Sequence, residues 1–170
     1  DSVNNLTSTS AKYYVTITNT GDAFVTSCGI CWSENQNPTT SNNIDYWITA
    51  KGNLTRTISG LSAGTTYYFR AFAVNSYGTS YGNEMSFVTP YTLTFDKNGG
   101  VGSMQVQYFT PSTPQAIRTN AFTRSNYDFA GWNTAADGTG TSYTNEQVIT
   151  IDRSLTLYAQ WQRRTCVVTF

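Results

Sequence analysis

Leu61-Ser62-Ala63-Gly64-Thr65-Thr66-Tyr67-Tyr68-Phe69-Arg70-Ala71-Phe72-Ala73-Val74-Asn75 is the stretch that decides the fold. Ser62-Ala63-Gly64 is a turn cluster, built from residues that tolerate or favour tight backbone reversal. The aromatic and β-branched residues after it suit a pleated, half-buried surface. They alternate cleanly. Tyr67, Phe69, Ala71 and Ala73 share one face, while Tyr68, Arg70 and Phe72 share the other. The sequence therefore predicts a strand over Thr65–Asn75 with its first face toward a core.

Upstream and downstream the same grammar recurs up to Pro90. Strand-like runs occur at Lys12–Thr18, Phe24–Ser33, Leu54–Ser59 and Tyr81–Thr89. Lys12–Thr18 sets Tyr13, Val15 and Ile17 against Tyr14, Thr16 and Thr18. Between the runs lie Thr20-Gly21-Asp22, the polar stretch Glu34–Asn43 and the turn Asn75–Gly78; Tyr46 and Trp47 fall in a loop-like segment. Several short strands at this spacing indicate a sandwich or barrel. Composition agrees. Thr, Ser and Asn make 60 of the 170 residues, aromatics are 15%, and no apolar stripe at helical spacing runs for a useful length. The chain reads as all-β.

The residues around the turn carry a resemblance. Leu61 six residues before Tyr67, across Gly64-Thr65, resembles the tyrosine corner of fibronectin type III domains. Tyr67-Tyr68-Phe69-Arg70-Ala71-Phe72-Ala73-Val74-Asn75, then Gly78 and Tyr81-Gly82-Asn83-Glu84, is similar to the fibronectin-type repeats of secreted Bacteroidetes proteins. Gly29-Ile30-Cys31-Trp32-Ser33 with Pro38-Thr39 fits the same pattern. The resemblance implies a fibronectin III-like β-sandwich over 1–90, with Tyr67 and Leu61 forming the corner and the Tyr67 hydroxyl bonded back to the turn.

After Pro90 the pattern changes. Tyr91, Leu93 and Phe95 alternate with Thr92, Thr94 and Asp96. Lys97–Ser103 holds three glycines and reads as a flexible turn. Met104, Val106 and Tyr108 alternate with Gln105 and Gln107, so these three are expected to face inward. Leu155, Leu157, Ala159 and Trp161 share the inner face of a last strand. Thr92-Leu93-Thr94-Phe95-Asp96, Asn98-Gly99-Gly100, Tyr127-Asp128-Phe129-Ala130-Gly131-Trp132-Asn133, Ala136–Thr141 and Leu155–Trp161 resemble the Listeria–Bacteroides repeat, the B-repeat type of internalins. That resemblance covers 91–162 and implies a small β-grasp-like module on a bacterial surface protein. Asn126 stands where the family usually has Gly, and Asn tolerates positive φ best after Gly. The connection Thr110–Ala121, with Pro111 and Pro114, is less typical of the family and leaves room for a short helix. Cys166-Val167-Val168-Thr169-Phe170 aligns with Tyr91–Phe95, so 163–170 reads as the first strand of a further, truncated repeat. Val88-Thr89-Pro90-Tyr91 is a short junction stiffened by proline, which predicts a semi-rigid pair.

Chemistry is sparse. Ten Lys and Arg balance ten Asp and Glu, without a basic stripe, which argues against nucleic acid. No apolar run approaches the ~20 residues of a membrane span. With no histidine, Ser-His-Asp and Cys-His arrangements are excluded. Cys28-Gly29-Ile30-Cys31 has redox or zinc spacing. On a strand, however, its two Cα atoms lie roughly 10 Å apart with side chains on opposite faces. A disulfide needs less than ~7 Å. Asp137-Gly138-Thr139-Gly140-Thr141 has one acid where a calcium loop needs several, and Asp-Gly reads as a hairpin turn. Asn98-Gly99-Gly100-Val101-Gly102 lacks the lysine of a phosphate loop. Catalytic, metal and cofactor sites are therefore expected to be none.

The candidate surface-binding residues are Tyr68, Arg70 and Phe72, an aromatic–Arg–aromatic stripe that would suit a protein interface or sugar stacking if exposed. Neighbouring strands covering it is the plainer alternative. Together with the resemblances, this predicts a non-enzymatic stalk or adhesion segment at the bacterial cell surface, signal and anchor lying outside 1–170. Its partners would be an extracellular protein or glycan and the adjacent repeats. The alternative is a set of accessory modules of a secreted polysaccharide-degrading enzyme.

Overall fold

The structure, a computed structural model, describes residues 2–17, 23–47 and 52–165. The chain is all-β, with no helix among the described residues. It divides into two compact units, Asp1–Pro90 and Tyr91–Phe170. The expected turn Thr20-Gly21-Asp22 and the expected repeat-opening strand at Cys166–Phe170 lie outside the described residues.

Unit 1 contains β1 (Ser2–Asn4), β2 (Ser10–Ile17), β3 (Ser27–Ser33), β4 (Asn43–Trp47), β5 (Gly52–Ser59), β6 (Thr66–Asn75), β7 (Gly78–Tyr81) and β8 (Met85–Val88). One antiparallel sheet runs β1-β2-β5. The other runs β4-β3-β6-β7, with β8 pairing the first half of β6. Tyr13 and Val15 from β2, Ile58 from β5, Ile30 from β3, Tyr67 and Phe69 from β6 and Phe87 from β8 share one core with Leu61. The Phe87 ring stacks on Tyr67 at 5.8 Å and meets Phe69 at 5.9 Å. Each such ring, taken from water, contributes about 1.5–3 kcal/mol.

Two expectations are corrected in this unit. Tyr81–Thr89 is not one strand: β7 ends at Tyr81 and β8 begins at Met85, with the Gly82 N–H held by Ala71 O at 2.9 Å between them. Tyr46 and Trp47 are not in a loop but on β4, paired to β3 from Asn43 to Trp47. The unfavourable strand residue there, Asp45, has a specific reason to point toward the other sheet. Its carboxylate accepts the Tyr13 hydroxyl at 2.9 Å and the Arg56 guanidinium at 3.0 Å. Arg56 in turn lies over the Trp47 ring, 4.9 Å from its centroid, closing a clasp across both sheets.

Unit 2 contains β9 (Tyr91–Asp96), β10 (Gln107–Phe109), β11 (Gln115–Ala116), β12 (Tyr127–Asn133), β13 (Ser142–Tyr143), β14 (Val148–Ile149) and β15 (Leu155–Arg163). Its main sheet runs β10-β9-β15-β12-β13, and β11 with β14 makes a separate ribbon. The central pair β9 and β15 is parallel, flanked by antiparallel partners, as in a β-grasp sheet. In place of a helix, the Thr110–Ala121 connection carries β11. Trp132 is the hub of the core, with Phe129 at 4.9 Å, Phe95 at 5.1 Å and Phe122 at 6.1 Å. Asn126 takes φ 62°, the left-handed turn geometry that its place before Tyr127 demands.

Here too the structure departs from pattern. Val106 and Tyr108 are exposed, while Gln107 and Phe109 point inward. The buried glutamine substitutes for missing backbone partners: its amide donates to Ala116 O at 2.7 Å and its carbonyl accepts the Arg118 N–H at 3.0 Å. The glycine-rich turn Lys97–Ser103 is tightly held, not loose. The Asn98 amide donates to Ala136 O at 2.7 Å and Ala159 O at 3.0 Å. A Cβ on Gly100 would sit 2.7 Å from Trp161, so only glycine fits there.

Candidate functional site

The outer face of β6 carried the candidate binding stripe, and the structure covers much of it. Phe72 is 3% exposed, and Tyr68 and Arg70 are half-buried. By register Phe72 lies between Gly29 on β3 and Tyr81 on β7. Gly29 has no room for a side chain, because the backbone of Asp45 and Tyr46 occupies the space where its Cβ would be. The candidate of an exposed stripe at Tyr68, Arg70 and Phe72 is therefore corrected in favour of the plainer alternative, cover by neighbouring strands. Alternation identifies the two faces of a strand but not what folds back over the second one.

What folds back is the polar stretch after β3. The Arg70 Nε donates to Pro38 O at 2.6 Å and its Nη2 reaches Asn37 O at 3.5 Å. The guanidinium sits over the Tyr81 ring, 4.2 Å from its centroid. The Tyr81 hydroxyl accepts the Thr40 N–H at 3.1 Å, and the Glu84 carboxylate accepts the Asn37 N–H. Beneath them the Cys31 thiol donates to Pro38 O at 3.3 Å, and burial pushes that thiol's pKa up. Cys28 is buried too, but in the separate cluster with Ile17 and Val25, and no disulfide joins it to Cys31. Arg70, the charged member of the stripe, thus binds the protein's own loop.

Leu61 and Tyr67 are both buried, and the Tyr67 hydroxyl accepts the Ser62 N–H at 3.0 Å while donating to Glu34 at 3.5 Å. Thr89, which the sequence did not single out, completes the corner. Its fully buried hydroxyl donates to Ser62 O at 2.6 Å and accepts the Thr65 N–H at 3.0 Å. In unit 2 the Asp137 carboxylate is engaged locally, accepting the Thr139 N–H at 3.1 Å and hydroxyl at 2.7 Å. Those bonds hold its pKa below the ordinary carboxylate value. Among the described residues there is no group of three metal-ligating side chains, and no helix is long and apolar enough to cross a membrane.

Exposed aromatics lie elsewhere. Phe24 and Tyr77 project into solvent at 82% and 87% exposure, and Tyr46 on β4 is less exposed. Sequence reasoning passed over Phe24 and Tyr77 because one opens an apparent strand and the other sits in a turn.

Residues 91–160 match the family model of the Listeria-Bacteroides repeat domain. That repeat family is typical of extracellular bacterial proteins. No curated protein matches the chain. Among solved structures, the sensor domain of the anti-sigma factor RsgI4 from Pseudobacteroides cellulosolvens is similar, at 22% identity and a TM-score of 0.42. The similarity covers 52% of this chain and 88% of that one.

Proposed function

We propose that this chain is a non-catalytic extracellular segment of a bacterial cell-surface or secreted protein. Its compact β units space or present a binding head and add weak contacts to proteins or glycans. One observation carries the reading: the repeat match fills residues 91–160, nearly all of unit 2. Unit 1 fits as a fibronectin type III-like module. Its three-stranded β1-β2-β5 sheet faces β4-β3-β6-β7, and the Tyr67 hydroxyl closes the turn after Leu61. Engagement of Arg70 and Asp137 within their own loops supports a structural role for the most reactive-looking side chains. The mechanism is mechanical and interfacial: small β units hold a head outward, and repeated weak contacts add through multivalency.

Antibodies raised against the purified chain test the location directly. Labelling of intact cells that express the parent gene, or recovery of the antigen from their medium, is expected. Labelling that appears only after the envelope is permeabilised would overturn the reading.

A further inference from the structure

The two most exposed large hydrophobic side chains among the described residues, Phe24 and Tyr77, emerge from the same end of unit 1. The geometry that puts them there is tied down on both sides. Val25 is buried against Ile17 and Cys28, so its neighbour Phe24 turns outward. Thr26 then anchors this loop to the end of β6, donating its N–H to Val74 O at 2.8 Å and its hydroxyl to the same oxygen at 3.2 Å. Three residues beyond Val74 comes Tyr77, in the hairpin tip that joins β6 to β7. The Tyr77 N–H donates to Asn75 Oδ1 at 2.9 Å, and Gly78, at φ 137°, closes the reversal opposite Asn75. Neither ring has an aromatic or cationic neighbour among the described residues. Two apolar rings are held in water by ordered, hydrogen-bonded loops.

The surroundings select the chemistry of a partner. Ala23–Ser27 and Val74–Tyr81 contain no charged residue. Thr26, Ser76, Thr79 and Ser80 are exposed and offer hydroxyls, and Asn75 offers an amide. A nucleic acid or an acidic glycan would need cations here. Protein hot spots favour aromatic and arginine side chains seated in desolvated pockets, and these two rings stand on solvent-exposed loop tips without an arginine. A neutral sugar ring needs the combination present: an aromatic face for its C–H surface and uncharged donors and acceptors for its hydroxyls. We propose that this end of unit 1 binds a neutral polysaccharide, with Phe24 and Tyr77 stacking on sugar rings. The proposal rests on the extracellular reading above and gives its weak contacts a ligand class.

The test is affinity electrophoresis of the full chain through native gels containing hydroxyethylcellulose, galactomannan or arabinoxylan, with alginate as the acidic comparison. A parallel array of matrix proteins covers the other class of partner. At least one neutral polysaccharide is expected to retard the chain, equally at about 50 and about 500 mM NaCl. Phe24→Ala and Tyr77→Ala should each weaken that retardation roughly tenfold, while Tyr77→Trp retains it. Both alanine variants keep the parent melting temperature, since neither ring belongs to a core cluster. Several results would overturn the proposal: no retardation in any neutral gel, retardation that survives both alanine substitutions, salt-erased binding to alginate alone, or binding to matrix proteins alone. None of these would touch the surface labelling that tests the extracellular reading, so the two can fail separately.

Discussion

Asn133→Ala removes a buried side chain that organises an entire loop. The Asn133 amide donates to Gly138 O and Gly140 O, each at 3.1 Å, and to Ser142 Oγ at 2.9 Å. Its carbonyl accepts the Ala135 N–H at 2.8 Å and the Gly140 N–H at 3.0 Å. An amide has two hydrogens, so the three donor contacts share them, and the side chain supplies about four bonds in effect. At ~1 kcal/mol net each these sum to about 4 kcal/mol. Several residues of the loop are exposed and water can take over part of the loss, which sets the expected cost at about 2–4 kcal/mol. For a unit of this size that lowers the melting temperature by roughly 10–25 °C. Calorimetry of the full chain measures it, and hydrogen exchange at Ala135 and Gly140 should accelerate in step.

Asn133→Asp sharpens the same reasoning. One carboxylate oxygen still accepts from Ala135 and Gly140, but the other faces the carbonyls of Gly138 and Gly140. Protonation restores a donor, so the folded-state pKa is raised. The aspartate variant is then most stable below the ordinary carboxylate pKa of about 3.9 and loses stability as pH rises through the raised value. An alanine variant within about 0.5 kcal/mol of the parent, or an aspartate variant that gains stability as pH rises, would refute the argument.

Asp45→Ala deprives the buried Tyr13 hydroxyl of its acceptor and should cost about 1–3 kcal/mol by chemical denaturation. Arg56→Ala, whose side chain is half exposed, should cost under about 1 kcal/mol. Burial, helped by Asp45, raises the Tyr13 pKa. Unit 1 therefore keeps this stability below about pH 10 and loses it as alkali titrates the unfolded tyrosine, an effect that pH-dependent melting should detect. Tyr67→Phe leaves the Ser62 N–H without the hydroxyl it donates to, and is expected to destabilise unit 1 by about 1 kcal/mol in the same assay.

Much of the fold was legible where a strand has two different environments. In β2, β6, β9 and β15 one face meets a core and the other meets something more polar, so a period of two survives in the sequence. Tyr13, Phe69, Leu93 and Leu157 were placed correctly for that reason. The short strands were not. β10 shows its register only once Gln107 is known to serve the backbone at Ala116 and Arg118, about ten residues further along. β4 contains an aspartate whose partner, Tyr13, lies 32 residues away.

The candidate site divides in the same way. The turn at Leu61 and the inward face of Tyr67 follow from local chemistry, because corner, turn and strand lie within a few residues. That Thr89 completes this corner is a contact across the sheet. The fate of Arg70 depended on Pro38, 32 residues before it, and that of Phe72 on the neighbouring strands that set Gly29 and Tyr81 beside it. Phe24 and Tyr77 look buried or incidental in a linear reading, and only the Thr26–Val74 contact brings their loops together. By itself the sequence determined the class, the faces of the longer strands and the repeat pattern of the second unit, because alternation and turn chemistry are local. Tertiary structure decided which faces stay in water, because burial is set by whatever distant segment lies across a surface.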